Sequence, residues 1–330
     1  MQVEAFFKKN AIFSSPTCEA QARLTFDKAE QDCRITNKRL DYYYVKRERL
    51  APDLNLWLKR MERDISTTLG PFDLFLDSLP ERVRITAGAT ATLSRRDALP
   101  PFKISKRLSC SPTAVPYLHA LSLWFGYGDI RPRQREANRI EFVPKNFETF
   151  RTIACECEGN SALQLAFDGY AKERLRRIGI NLADQSLNQE AARLASIDGR
   201  SATVDIRTAS DTEAYNTVAW LFPTPWFQFL SDLRAPYGAF EDGEVVKYAK
   251  FSSMGNGTTF TTETLIFASA CRAVGSKTYA VYGDDLVIET ELVNDLVRLL
   301  RFLGFRINET KTYTTGPFRE SCGTNWFSGV

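Results

Sequence analysis

The chain has 330 residues, of which 44% are hydrophobic, 12% aromatic and 25% charged, enough apolar side chain for one or two buried cores. Its 18 glycines and 14 prolines together make up just under a tenth of the sequence, which excludes a collagen-like or low-complexity chain. The net charge is only +3, yet Arg82 to Arg151 carries thirteen Lys/Arg against five Asp/Glu, so +8 there is offset by −5 elsewhere.

Chemistry is narrowed further by what is scarce. The first residues, Met1 to Lys9, hold no apolar core of a leader, and no run of about 18 apolar residues occurs, so the chain is expected to be neither secreted nor membrane-spanning. Cys18, Cys33, Cys110, Cys155, Cys157, Cys271 and Cys322 are odd in number and lack Cys-x-x-Cys spacing, which suggests neither a disulfide framework nor a zinc knuckle. His119 is the sole histidine and has no nucleophile motif beside it, so it reads as structural. The basic window, interleaved with Phe102, Phe142, Phe147 and Phe150, favours a polyanion partner; a solvated basic face is the plain alternative.

In chain order, residues 1–80 read as helical. Ala22, Phe26, Ala29 and Cys33 form one stripe, and Leu54, Leu58, Met61 and Ile65 form another that stops at Gly70-Pro71. Residues 80–150 are Pro-punctuated and weakly periodic, which predicts loops and short strands. A helix carrying Leu163, Phe167, Tyr170 and Ile178 should stop at Gly179, and Ala202 to Ile206 should form a short strand that holds Asp205 near its end. Ser210-Asp211-Thr212-Glu213 fits a capping box for a following helix. Asp242-Gly243 predicts a hairpin, and Phe260, Phe267, Cys271 and Val274 trace a helix that ends at Gly275. A second hairpin joins Tyr279–Tyr282 to Leu286–Ile288 through Gly283-Asp284-Asp285, with Gly placed for a type II′ reversal. Leu292, Leu296, Leu299 and Leu303 make an amphipathic helix closed by Gly304, before an extended Phe305–Ile307. The sum is an α+β fold, a sheet layered with helices.

Adjacent aspartates between apolar strands repel one another unless a cation neutralises them. Magnesium takes hard oxygen ligands and is held by one or two carboxylates plus phosphates and water, which suits a site without His or Cys. If the Asp205 strand pairs beside the hairpin, Asp205 joins Asp284 and Asp285 in a set able to serve two ions flanking a phosphoryl centre. Ser252 to Thr259, rich in small residues with glycines at 255 and 257, could let backbone approach a nucleotide closely; a flexible turn is the bland reading.

These segments, taken in order, carry a family resemblance. Strand-borne Asp205 with Ser210-Asp211, Ser253-Met254-Gly255-Asn256-Gly257, Tyr282-Gly283-Asp284-Asp285 and Gly316-Pro317-Phe318-Arg319-Glu320-Ser321-Cys322-Gly323 resemble the ordered motifs of RNA-dependent RNA polymerases. The specific likeness is to the replicase catalytic subunit of positive-strand RNA bacteriophages, the levivirus or Qβ-like group. Val143-Pro144-Lys145-Asn146 with Thr149 and Arg151 is similar to that family's basic fingers motif, and Leu182 to Gln189 resembles an intervening stretch.

The resemblance implies a right-hand polymerase with a helical region at 1–80, basic fingers at 81–159 and a palm at 160–330, the palm an antiparallel sheet backed by helices. Asp205, Asp284 and Asp285 would hold two Mg²⁺ ions, and Lys145 and Arg151 would bind the incoming triphosphate. Asp211, with Ser253 or Asn256 in the loop that contains Gly255, would sense the ribose 2′-OH; a helix cap is an equal reading of Asp211. Lys311, in Asn308-Glu309-Thr310-Lys311-Thr312, resembles a lysine that protonates pyrophosphate, with a surface charge as the alternative. Implied partners are RNA template and product, NTPs, and host elongation factors Tu and Ts with a ribosomal protein, in the bacterial cytoplasm and without a membrane. The family's thumb follows the segment that ends here at Val330, so a thumb is expected to be absent and the reading frame partial. A non-catalytic RNA-binding fragment and a reverse transcriptase are the competing functions.

Overall fold

Residues 17–105, 108–146 and 149–330 are described by the computed structural model. They form two compact units that interleave along the chain. The first draws on residues up to 32, 78–167 and 228–259, and the second on 33–77, 168–227 and 260–330. Both combine helices with small sheets, the α+β class expected. Sequence blocks divided at 80 and 159 differ from these units in kind, because each compact unit is assembled from segments distant in sequence.

The predicted helical stripes are present. Helix α1 (Thr17–Val45) buries Ala22, Phe26, Ala29 and Cys33, and α2 (Pro52–Leu69) buries Leu58, Met61 and Ile65 before Gly70 at φ +74° ends it. After α3 (Phe72–Arg82) and α4 (Pro100–Ser105) come β1 (Ser109–Cys110), α5 (Val115–Trp124) and β2 (Arg133–Gln134). Helix α5 departs from the expected loops: Val115-Pro116-Tyr117-Leu118-His119-Ala120-Leu121-Ser122-Leu123-Trp124 is apolar nearly all round, so it lacks the one-sided contrast that marks a helix in sequence. His119 lies on it and pairs with Asp129, Nδ1 to Oδ1 3.2 Å, in keeping with a structural role. All seven cysteines are free, six of them buried.

In the first unit, β3 (Ala137–Pro144) and β4 (Phe150–Cys155) form an antiparallel hairpin; β6 (Tyr237–Ala239) adds in parallel to β3, and β7 (Val245–Lys247) in antiparallel to β6. The β6–β7 turn carries Gly243 at φ +90°, as Asp242-Gly243 predicts. Phe26, Ile140, Phe240 and Tyr248 make its core, with Phe142 stacked on Phe240 at 5.8 Å. Phe142 is therefore a packing residue and not a free base-stacking platform; Phe147 lies outside the described residues.

The second unit holds the antiparallel sheet β10-β5-β9-β8, formed by β5 (Ser201–Arg207), β8 (Ala280–Tyr282), β9 (Asp285–Glu289) and β10 (Arg306–Ile307). Helix α6 (Glu158–Arg177) precedes it in sequence, and α7 (Ser186–Asp198) packs on β5, β8 and β9. After β5 the chain makes one helical turn, α8 (Ala209–Thr212), then α9 (Tyr215–Leu221) and α10 (Thr224–Asp232). The capping box at Ser210 does not form. Thr208 takes the N-cap position in the left-handed region with no side-chain cap bond, which places Ser210 inside the turn, and Glu213 is fully buried beyond it. Helix α11 (Thr259–Ala273) ends at Gly275 (φ +103°), and α12 (Val293–Phe302) buries Leu296, Leu299 and Leu300 at helical spacing. Phe267 of α11 meets Phe305 at 4.8 Å, edge to face. The hairpin of β11 (Phe318–Ser321) and β12 (Thr324–Phe327) completes the unit.

Candidate active site

The β8–β9 turn is the two-residue reversal its sequence predicts. Tyr282 pairs with Asp285, Gly283 has φ +57° and Asp284 lies outside the positive-φ region, the signs of a type II′ turn. A Cβ on Gly283 would run into the Phe260 ring, so the turn needs glycine for its backbone and for its space. Because β9 also pairs with β5, Asp285 stands directly opposite Asp205. Ile206 N–H donates to the Asp284 carbonyl at 3.3 Å. Directly opposed residues in an antiparallel pair lie about 4.5–5.5 Å apart at Cα and share a face, so all three aspartates belong to one corner of the sheet.

Asn308 and Asn188, to which the sequence assigns no role, hold this corner. Asn308 donates through Nδ2 to Asp205 Oδ2 at 2.6 Å, while its N–H donates to the Asp205 carbonyl at 2.9 Å. Asn188 of α7 donates to the Asp285 carbonyl at 3.0 Å. Lys311 Nζ pairs with Glu320 Oε1 at 2.8 Å, which holds the ammonium above the ordinary lysine range. Arg319, fully buried, ties β11 to β5 by donating through Nε to the Ser201 carbonyl at 3.0 Å. Cys322 and Gly323, both at positive φ, close the β11–β12 turn, and the Cys322 N–H faces the Asp285 carboxylate.

Electrostatics at this corner favour a cation. Burial, then the charge of Asp284, raises the Asp205 carboxyl against the Asn308 bond and the Lys311 charge. Asp285 is pushed up to about 6 by burial and by the charges of Asp284, Asp205 and Glu320, against the Cys322 N–H. Glu263 of α11 is buried and pushed well up, by burial and by the charges of Glu213, Asp284 and Asp211. Asp211 therefore acts in the same acidic surroundings as Asp284. Crowded carboxylates without His or Cys are the donor chemistry of Mg²⁺, so the residue types fit that ion. Among the described residues, however, no group of three or more His, Cys, Asp or Glu is disposed to hold a metal as it stands.

Lys145, Arg151, Ser253, Gly255 and Asn256 lie in the first unit, and Asp205, Asp211, Asp284, Asp285 and Lys311 in the second. Arg151 sits on β4 opposite Val143, and Lys145 N–H donates to the Thr149 carbonyl at the end of the same hairpin; both side chains are exposed. The glycine loop is anchored beside this strand. Ala154 N–H donates to the Met254 carbonyl at 2.8 Å, and a Cβ on Gly255 (φ +105°) would collide with the Ala154 carbonyl oxygen. The close approach that this glycine permits is thus to the protein's own strand. Ser253 and Asn256 are buried, and Asn256 Oδ1 accepts from the Thr258 N–H at 2.9 Å and its hydroxyl at 2.8 Å.

A sequence profile of the family described as RNA replicase, beta-chain, matches residues 3–330. The chain is 37% identical to the RNA-directed RNA polymerase subunit beta of Qbeta virus (strain MX1), over an alignment that covers 100% of this chain and 57% of that protein. It is 39% identical to the corresponding subunit of Escherichia virus Qbeta, over 94% of this chain and 54% of the relative. The chain thus spans about half the length of the curated relatives it matches. Among solved structures, the BmCPV RNA-dependent RNA polymerase in its elongation state is similar in fold, with a TM-score of 0.53 at 10% identity over 85% of this chain and 29% of the other. No described helix is long and apolar enough to cross a membrane.

Proposed function

Because the chain belongs to the RNA replicase beta-chain family, we propose that it carries the fingers and palm of an RNA-directed RNA polymerase. The observation that supports this most is the register that sets Asp205 against Asp285, with Asp284 in the adjoining turn. The reaction joins a ribonucleotide to an RNA 3′ end: the 3′-OH attacks the α-phosphate of an NTP, the Pα–O bond to the β-phosphate breaks and pyrophosphate leaves.

In this reading Asp205, Asp284 and Asp285 would hold two magnesium ions, which would supply charge stabilisation for the attacking and leaving oxygens. Asn308 keeps the Asp205 carboxylate oriented. Lys145 and Arg151 bind the triphosphate, where fixed positive charge offsets negative charge that grows on the leaving group. Asp211, with Ser253 or Asn256 of the loop that contains Gly255, reads the ribose 2′-OH. Lys311, held near the acidic corner by Glu320, supplies a proton to pyrophosphate. Host elongation factors Tu and Ts with a ribosomal protein, and a cytoplasmic setting, complete the proposal on family grounds.

The test is incorporation of labelled NTP on an RNA template with Mg²⁺, comparing the wild-type chain with Asp284→Asn. Incorporation by the wild type and its loss in the variant support the reading. Equal incorporation by both would remove Asp284 from the metal role, and RNA binding without incorporation by either would favour a non-catalytic RNA-binding fragment.

A further inference from the structure

Beneath the glycine loop of the first unit lies a carboxylate that the proposed reaction does not use. Glu156 follows β4, is 4% exposed, and has one oxygen, Oε2, buried with no hydrogen-bond partner. Its other oxygen collects amide donors: Asn138 Nδ2 at 3.1 Å and, at the long end of bonding distance, Asn256 Nδ2 at 3.5 Å. The Gln164 amide lies near enough to favour its charged form. Asn138 is fixed from behind by the Tyr248 hydroxyl, which donates to its Oδ1 at 2.7 Å.

Two of these three amides are the loop's own anchors. Asn256 holds Thr258 through Oδ1, and Gln164 Oε1 accepts the Gly257 N–H at 3.0 Å while its Nε2 donates to the Leu233 carbonyl at 2.8 Å. An Asn or Gln side chain can flip, exchanging oxygen for nitrogen, and only its partners decide which way it points. With Asn256 Nδ2 on the Glu156 oxygen, Asn256 Oδ1 must face Thr258. With the Gln164 amide nitrogen given to the Leu233 carbonyl, its oxygen faces the Gly257 N–H. An acceptor oxygen of Glu156 in this place sets the Asn256 amide. Burial of a carboxylate is unfavourable, and here it sits against a residue that shapes the loop.

We propose that Glu156 is a positioning residue that, through Asn256, fixes the Ser252–Thr259 loop in the form that discriminates ribose from deoxyribose in the incoming nucleotide. This rests on the polymerase reading of the loop. It assigns Glu156 no contact with the nucleotide.

Two readouts separate this claim from the reading beneath it. The first is amide hydrogen exchange at Asn256, Gly257 and Thr258 in the nucleotide-free wild-type chain, in Glu156→Ala and in Glu156→Gln, whose side-chain oxygen can still accept. Exchange at these three amides should speed at least tenfold in Glu156→Ala and stay within about twofold of wild type in Glu156→Gln. The second is equilibrium dialysis of labelled GTP and dGTP, where the preference for GTP should fall about tenfold in Glu156→Ala and recover in Glu156→Gln. Should Glu156→Ala fail to fold, Asn256→Asp replaces it: the facing carboxylates repel, loop exchange speeds, and Glu156→Gln combined with Asn256→Asp restores protection by reversing the pair. Unchanged loop exchange in the Ala variant, or no recovery in the double variant, overturns the proposal. So does loop exchange that speeds while the GTP preference holds. A wild-type chain that binds GTP and dGTP alike overturns the ribose-selecting claim together with the polymerase reading, and the exchange result still decides whether Glu156 holds the loop.

Discussion

Asn308 gives its side-chain amide to the Asp205 carboxylate at 2.6 Å and its backbone N–H to the Asp205 carbonyl at 2.9 Å, so one residue beyond β10 orients an aspartate 103 positions earlier. Partners that orient metal-binding carboxylates typically matter about 10–100-fold in metal affinity. Asn308→Ala should therefore raise the Mg²⁺ concentration at half-maximal nucleotide incorporation by about that factor, with secondary structure unchanged by circular dichroism. A magnesium dependence identical to wild type would leave Asn308 a purely structural residue.

The Gly283 turn makes a stability prediction. Alanine there would hold φ near +57° and drive its Cβ into the Phe260 ring, an unfavourable combination of about 1–3 kcal/mol or more. Denaturant unfolding should show Gly283→Ala destabilised, and Phe260→Ala in the same chain should return only the steric part. Full recovery in the double variant would mean that the turn tolerates alanine's backbone.

Much of this corner was legible from local pattern. The Gly283 reversal, the strand under Asp205 and the leucine stripe of α12 each depend on residues within a few positions of one another, where periodicity and turn chemistry act. Which strand β5 pairs with is a long-range choice that no local spacing encodes, and the pairing of Asp205 with Asp285 needed the fold. Asn308, Glu320 and Asn188 lie in recognised segments, but their roles are hidden for the same reason, being set by β10, β11 and α7. The expected capping box fails because Thr208, left-handed, takes the N-cap two residues ahead of Ser210, and α5 is not legible because an apolar helix shows no face. The glycine loop was visible as a motif, but its tight seat against Ala154 was not.

Glu156 makes stability depend on pH in a stated direction. Burial pushes its carboxyl from an ordinary 4.5 up to about 7, against the amides of Asn138, Gln164 and Asn256 and the Arg234 charge. The folded chain thus holds this proton where the unfolded chain has released it. The contribution is complete below about pH 4.5 and is lost as pH rises through 7, a span worth at most about 3 kcal/mol. Urea unfolding between pH 5 and pH 8 should show a steeper loss in wild type than in Glu156→Gln, and equal slopes would show that Glu156 is ionised throughout.

Lys311 separates charge from proton donation. Arginine at this position can keep the pair with Glu320 but does not release a proton near neutral pH. Lys311→Arg should lower kcat about 100-fold with little change in KM for NTP, the scale of a lost general acid. A kcat near wild type would assign Lys311 to charge alone.

The most direct test of the whole account is calorimetric titration of Mn²⁺, a stand-in for Mg²⁺, into the wild-type chain and into Asp205→Asn. Removing one charge opposite Asp285 should weaken binding at least about tenfold, with the fold retained. Superimposable isotherms, whether both bind or neither does, would contradict the convergence of Asp205, Asp284 and Asp285 on a shared metal site.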